Sequence, residues 1–174
     1  MAKRKKLPTG PDAARRNANL RKPRRCPYCG SPLRLVDSDQ LKQMVESHPK
    51  RPKKASPFVC NHKHYYVCSN FNNCQSYIGA YENTYDPMGA VANPELRMLR
   101  IQTHLVFDEI WKNNILPKDE AYSLLGDKLN LLRSQTHISQ FNKTNCEKTI
   151  SIAEKILTER GIPIPTVSEF FANR

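Results

Sequence analysis

The sequence predicts an α+β protein, and three observations predict it. Between residues 26 and 92 short β-forming segments alternate with turn residues, and two pairs of cysteines bracket them. From residue 93 the apolar residues change to a three- and four-residue spacing, the period of a helix. Ahead of both, residues 1–25 are strongly cationic and hold almost nothing that could be buried. The expected order is a basic arm at 1–25, a cysteine-bearing β region at 26–92, a helical region at 93–161 and a tail at 162–174.

In the arm, Lys3, Arg4, Lys5, Lys6, Arg15, Arg16, Arg21, Lys22, Arg24 and Arg25 face a single acidic residue, Asp12. Like charges repel, and the few apolar side chains cannot offset the entropy of ordering the backbone, so this stretch is expected to be disordered. In the β region, "LRLVDS" reads as a strand, "FVCNHKHYYVCSN" resumes one, and "SYIGAYENTY" alternates, with Tyr77, Gly79 and Tyr81 on one face. The intervening "DQLKQMVESHPKRPKKASP" is polar and interrupted by prolines, and is expected to form a long basic loop over about 40–57.

Three helices are expected next. "ANPELRMLRIQTHLVFDEIWKNN" opens with Asn93 as a cap and Pro94 in the first turn, and Leu96, Leu99, Thr103, Val106 and Ile110 form its apolar stripe. "DEAYSLLGDKLNLL" fills a second. "TNCE" at 144–147 reads as a capping box for a third, in which Cys146, Ile150, Ala153 and Leu157 make the stripe and Gly161 with Pro163 makes the stop.

The chemistry lies in the cysteines. No run of roughly 18 apolar residues is present to cross a membrane, and "MAKRKKLPTG" lacks the apolar core of a secretory signal, so a cytoplasmic setting is expected. Thiols stay reduced there, which turns six cysteines toward metal binding or burial and away from disulfides. In "CPYCG", Cys26 and Cys29 can aim both sulfurs at one ion, and Gly30 suits the positive φ of such a turn. Cys68 and Cys74 in "CSNFNNC" supply a second pair across a turn-forming spacer. Together they predict a zinc ribbon: one Zn2+ held by four thiolates, structural because no coordination position is left for water. Cys60, His62 and His64 in "CNHKHYY" could replace a ligand, Cys60 foremost, since it would share a strand face with Cys68. Cys146 reads as a small core residue.

"CPYCGSPLRLVDS", "YVCSNFNNCQSYIGAY", "PMGAVANPELRMLRIQTHLVFDEIW" and "HISQFNKTNC", in this order, resemble a zinc-finger-containing domain family of unknown function, found largely in phages and prophages. The resemblance covers about residues 26–160 and includes Pro87, Gly89, Ala92, Asn93, Leu96, Arg97, Arg100, His104, Phe107, Asp108 and Trp111. It implies that Cys26, Cys29, Cys68 and Cys74 are the zinc ligands, and it implies no established activity. The "CSNFNNCQSYIG" segment is more weakly similar to the C-terminal zinc ribbons of bacterial type I topoisomerases, which hold single-stranded DNA. The long basic loop and the cationic arm depart from the family pattern, and both add positive charge.

Of the net charge of +12, the arm carries +9 and Lys50, Arg51, Lys53 and Lys54 add +4, while residues 26–46 sum to −1 and residues 58–174 are balanced. That segregation predicts phosphate-backbone binding to DNA or RNA with little sequence preference. Tyr77 and Tyr81 are candidates for stacking on unpaired bases, against the plainer expectation that ribbon tyrosines build the core. A second reading is an adaptor or inhibitor that binds a host protein of replication, transcription or defence. A third is a phosphate-handling enzyme using Arg97, Arg100, His104 and Asp108, which share a helix face. No nucleophile or second metal site accompanies them, so no catalysis is expected. No membrane partner or small-molecule substrate is expected either.

Overall fold

A computed structural model describes residues 23–53 and 58–172, without the side chains of 170–172. The expected disordered arm and Lys54 therefore fall largely or wholly outside the described residues. The described chain forms two compact units that divide between Asn93 and Pro94. No helix among the described residues is long and apolar enough to cross a membrane.

The first unit is a three-stranded antiparallel sheet in the order β1 (Leu33–Asp37), β2 (His64–Cys68), β3 (Tyr77–Ala80). Register follows from the period of two. Val36 lies opposite Tyr65, and Val67 opposite Tyr77, so these side chains share one face with Gly79. Helix α1 (Ser38–Glu46) covers that face with Leu41, which is fully buried, and with Met44 and Val45. Phe71 of the short helix α2 (Phe71–Cys74) completes the cluster.

Helix α1 corrects the expectation of a loop across about 40–57. Its N-terminus carries a capping box: the Gln40 N–H donates to Asp37 Oδ1 at 2.8 Å, and the Asp37 N–H donates to Gln40 Oε1 at 3.1 Å. Leu41, Met44 and Val45 stand three and four residues apart, a stripe too short to be conspicuous in a polar sequence. The chain leaves the helix at Ser47 and turns at His48. The strand expected throughout "FVCNHKHYYVCSN" begins only at His64.

The second unit is helical: α3 (Pro94–Lys112), α4 (Lys118–Leu129), α5 (Lys143–Glu159) and a short α6 (Val167–Ala172). Val106, Phe107, Ile110, Leu125, Ile138, Phe141, Cys146, Ala153 and Leu157 form its core. Trp111 and Tyr122 pack around Phe107, with ring centroids 5.3 and 5.1 Å from it. Thr103 and Thr149 are buried polar groups whose hydroxyls donate to carbonyls one turn back, both at 2.7 Å. The cap of α5 is Asn142, whose Oδ1 accepts from the Asn145 N–H at 2.9 Å, rather than the Thr144 expected from "TNCE". The stop is as expected: Gly161 takes φ +66°, and the N–H of Ile162 returns to Leu157 O. Helix α6 was not foreseen, and it starts where Thr166 and Glu169 exchange hydrogen bonds.

Two substitutions test this account of the first unit. Leu41→Ala empties the space under β2 and is expected to cost about 2–5 kcal/mol. Asp37→Ala removes one cap and is expected to cost about 1 kcal/mol. Denaturant midpoints at constant m-value check both.

Candidate metal centre

The first knuckle is a turn closed by backbone. The Gly30 N–H donates to Cys26 O at 2.9 Å, and the Cys26 N–H donates to Ser31 O at 2.8 Å. Gly30 takes φ +70°, where any side chain would be strained. Arg25 Nη1 donates to Gly30 O at 3.0 Å, and Arg25 bridges Pro32 across the hairpin. Cys26 and Cys29 thus sit at the tip of the hairpin that leads into β1.

The second knuckle begins where β2 ends. The Cys68 N–H donates to Ser76 O at 2.9 Å, and the Cys74 N–H donates to Asn70 O at 2.9 Å. Gln75 turns the chain out of α2 in the left-handed region, at φ +50°. Sheet register then joins the knuckles. Leu33 pairs with Cys68, and the Ser69 N–H donates to Pro32 O at 2.9 Å.

The result is a cluster of four sulfurs, from Cys26, Cys29, Cys68 and Cys74, all within 4.8 Å of one another. The shortest separations cross between knuckles: 3.4 Å for Cys29 and Cys68, and 3.5 Å for Cys26 and Cys74. These are far beyond the S–S bond of about 2.05 Å. A regular tetrahedron with Zn–S of about 2.3 Å has edges of about 3.8 Å, which falls inside the observed range. Donor number, donor type and spacing fit one structural zinc.

The surroundings shift three of the four thiols, in opposite directions. Burial pushes the Cys68 thiol up to about 12 and also raises Cys74. Cys29 is exposed, and hydrogen bonds from the Ser31 side chain and backbone pull it down to about 6. Ser76, fully buried, places its hydroxyl 3.1 Å from Cys74 Sγ and donates to Cys74 O. Ser31 and Ser76 would orient ligands around a zinc, and neither stands out in the sequence.

The substitutes considered for a ligand lie elsewhere. Cys60 precedes β2 in a loop and donates its S–H to Ser38 O at 3.2 Å, and burial raises its thiol. It therefore shares no strand face with Cys68. The His62 ring lies over Gly79, so closely that a Cβ there would stand 2.4 Å from it. His64 meets Tyr85 edge-on, with centroids 4.9 Å apart. Cys146 is buried in the helical core, as expected.

Of the candidate nucleic-acid residues, Arg24, Arg25, Lys50 and Lys53 are exposed and Arg51 is half-buried. Lys3, Arg4, Lys5, Lys6, Arg15, Arg16, Arg21, Lys22 and Lys54 lie outside the described residues. Tyr77 belongs to the apolar cluster, edge-on to Phe58 and Tyr65, while Tyr81 lies just past β3 and is half-buried. His48 was missed in the sequence. Buried beside Phe71, its ring bonds Asn72 O through Nε2 at 3.0 Å and accepts from the Lys50 N–H through Nδ1 at 3.2 Å. It thereby ties the basic turn to the second knuckle. Of the helix-face set, His104 and Asp108 form an exposed pair at 3.4 Å and Arg97 is half-buried. Arg100 is instead buried, donating to Phe141 O through Nε and Nη2 at 3.0 and 2.8 Å.

Two knuckles at one end of a small antiparallel sheet, with four converging cysteines, define a zinc ribbon of the structural kind. The zinc-finger-containing domain family matches residues 22–156, and the chain belongs to that family. No curated protein and no solved structure matches it.

Metal removal tests the centre. One zinc per chain is expected by elemental analysis, and a strong chelator, or Cys26→Ser, is expected to unfold the first unit while helical circular dichroism from the second persists in part. Coordination of this kind contributes on the order of 10 kcal/mol. Cys60→Ser is expected to retain the zinc.

Proposed function

We propose that this protein is a non-catalytic zinc-ribbon module that binds nucleic acid through its phosphate backbone, in a phage or prophage setting and in the host cytoplasm. One observation carries the reading. The two segments that hold the excess positive charge both adjoin the metal centre, Arg25 through its bond to Gly30 O and the Lys50–Lys53 turn through His48 and Asn72. A zinc-pinned scaffold then anchors both cationic segments, and each phosphate they neutralise releases a counterion. Such binding needs no base contacts. Tyr77 is committed to packing, which leaves Tyr81 as the aromatic better suited to stack on an unpaired base.

An adaptor that docks on a host protein is the second reading. It is favoured only if the charge proves dispensable. The enzyme reading has less support, because Arg100 spends its guanidinium on a backbone carbonyl inside the helical unit.

Fluorescence anisotropy with labelled single- and double-stranded oligonucleotides tests the proposal. Affinity is expected to fall linearly on a log–log plot against salt. Deleting residues 1–25 is expected to flatten the slope by several phosphate contacts, and Lys50→Glu with Lys53→Glu to weaken binding by about tenfold or more. Absence of binding at low salt, or affinity untouched by both changes, favours the adaptor.

A further inference from the structure

The four ligand sulfurs are unequal in access. Cys29 is exposed, Cys74 is partly covered, and Cys26 and Cys68 are buried. The exposed sulfur has a buried partner from the other knuckle 3.4 Å away, and the remaining two sulfurs stand 3.5 Å apart. An attackable thiolate with a second thiol in reach is the arrangement found in reversible thiol oxidation.

We propose that the metal centre is also a peroxide-reactive modification site, in which Cys29 is oxidised first and Cys68 resolves it to a disulfide between the knuckles. In the first step the Cys29 sulfur attacks one oxygen of hydrogen peroxide. The O–O bond breaks, Cys29 becomes a sulfenic acid, and the departing hydroxide takes a proton to leave as water. The Cys68 sulfur then attacks the Cys29 sulfur. A sulfur–sulfur bond forms, the sulfenic S–O bond breaks, and a second water leaves once the hydroxide is protonated. Peroxide is the oxidant, and two thiolates supply the electron pair. Two of the four zinc ligands are consumed, so the ion is released, and a second equivalent of peroxide can join Cys26 to Cys74. Reduction restores all four ligands.

The other two cysteines serve as internal references. Cys60 is bonded to Ser38 O and kept protonated by burial, and Cys146 is enclosed in the helical core. Neither belongs to the cluster of four sulfurs. The proposal rests on the metal centre alone, so it stands or falls independently of nucleic-acid binding.

The test uses the full chain loaded with zinc, titrated with hydrogen peroxide in the presence of a chromogenic zinc indicator. Non-reducing peptide mapping follows. Chymotryptic cleavage after Tyr28, Phe58, Tyr66 and Phe71 places Cys26, Cys29, Cys60, Cys68 and Cys74 on separate peptides and makes every pairing among the ligands distinguishable. The expected result is zinc release in step with a Cys29–Cys68 linkage, reversed by dithiothreitol and added zinc, with Cys60 and Cys146 still reduced. Cys60→Ser is expected to behave identically. A linkage between Cys26 and Cys29, a Cys26–Cys74 bond formed first, Cys29 driven to sulfinic acid without any linkage, or zinc retained under peroxide that oxidises free glutathione would each overturn it.

Discussion

Convergence of four sulfurs from two turns, 39 to 48 residues apart in the chain, is the constraint on which the first unit depends. The apolar cluster there is small, built from Leu41, Tyr65, Val67 and Phe71 with a fringe of half-buried neighbours. A core of that size rarely stabilises a fold of this length by itself. Coordination supplies what packing does not, because four thiolates crowded within a few ångströms repel one another until a divalent cation is placed among them. The sheet is the complementary half of the device. Pairing Leu33 with Cys68 sets the exit of one knuckle beside a ligand of the other, so register and coordination reinforce each other.

The helical unit is stabilised by different means. Its core is apolar and aromatic, and its buried polar groups are satisfied locally: two threonines bond one turn back, and Arg100 reaches the Phe141 carbonyl. A guanidinium in such a place would be costly without acceptors. Its role is therefore architectural, joining α3 to the segment before α5, and this accounts for an arginine within an otherwise apolar region.

The polar residues around the metal form a second layer. Ser31 and Ser76 address ligand sulfurs, His48 fastens the basic turn to the α2 knuckle, and Arg25 closes the first knuckle. Charge and metal site are thus parts of one local structure. That arrangement leaves Cys29 open to solvent as the point at which the centre is chemically exposed.

Local signals in the sequence located the three strands, though two of them were drawn several residues too long, and they located the three long helices, the start of α3, the stop of α5 and the four clustered cysteines. Each of these rests on short-range chemistry: alternation, capping residues, a proline in a first turn, a glycine at positive φ, and paired cysteines at ligand spacing. Helix α1 was legible in principle through Asp37 and Gln40, but its three-residue stripe was too brief to outweigh the polar composition around it. Only the tertiary structure decided that Cys60 stands apart from Cys68, that Tyr77 packs inward, that Arg100 is buried and that His48 bridges to Asn72. The reason is common to all four: each depends on a partner 12 to 41 residues away or on where a strand begins, and such proximity is created by sheet register and helix packing, which no local pattern encodes.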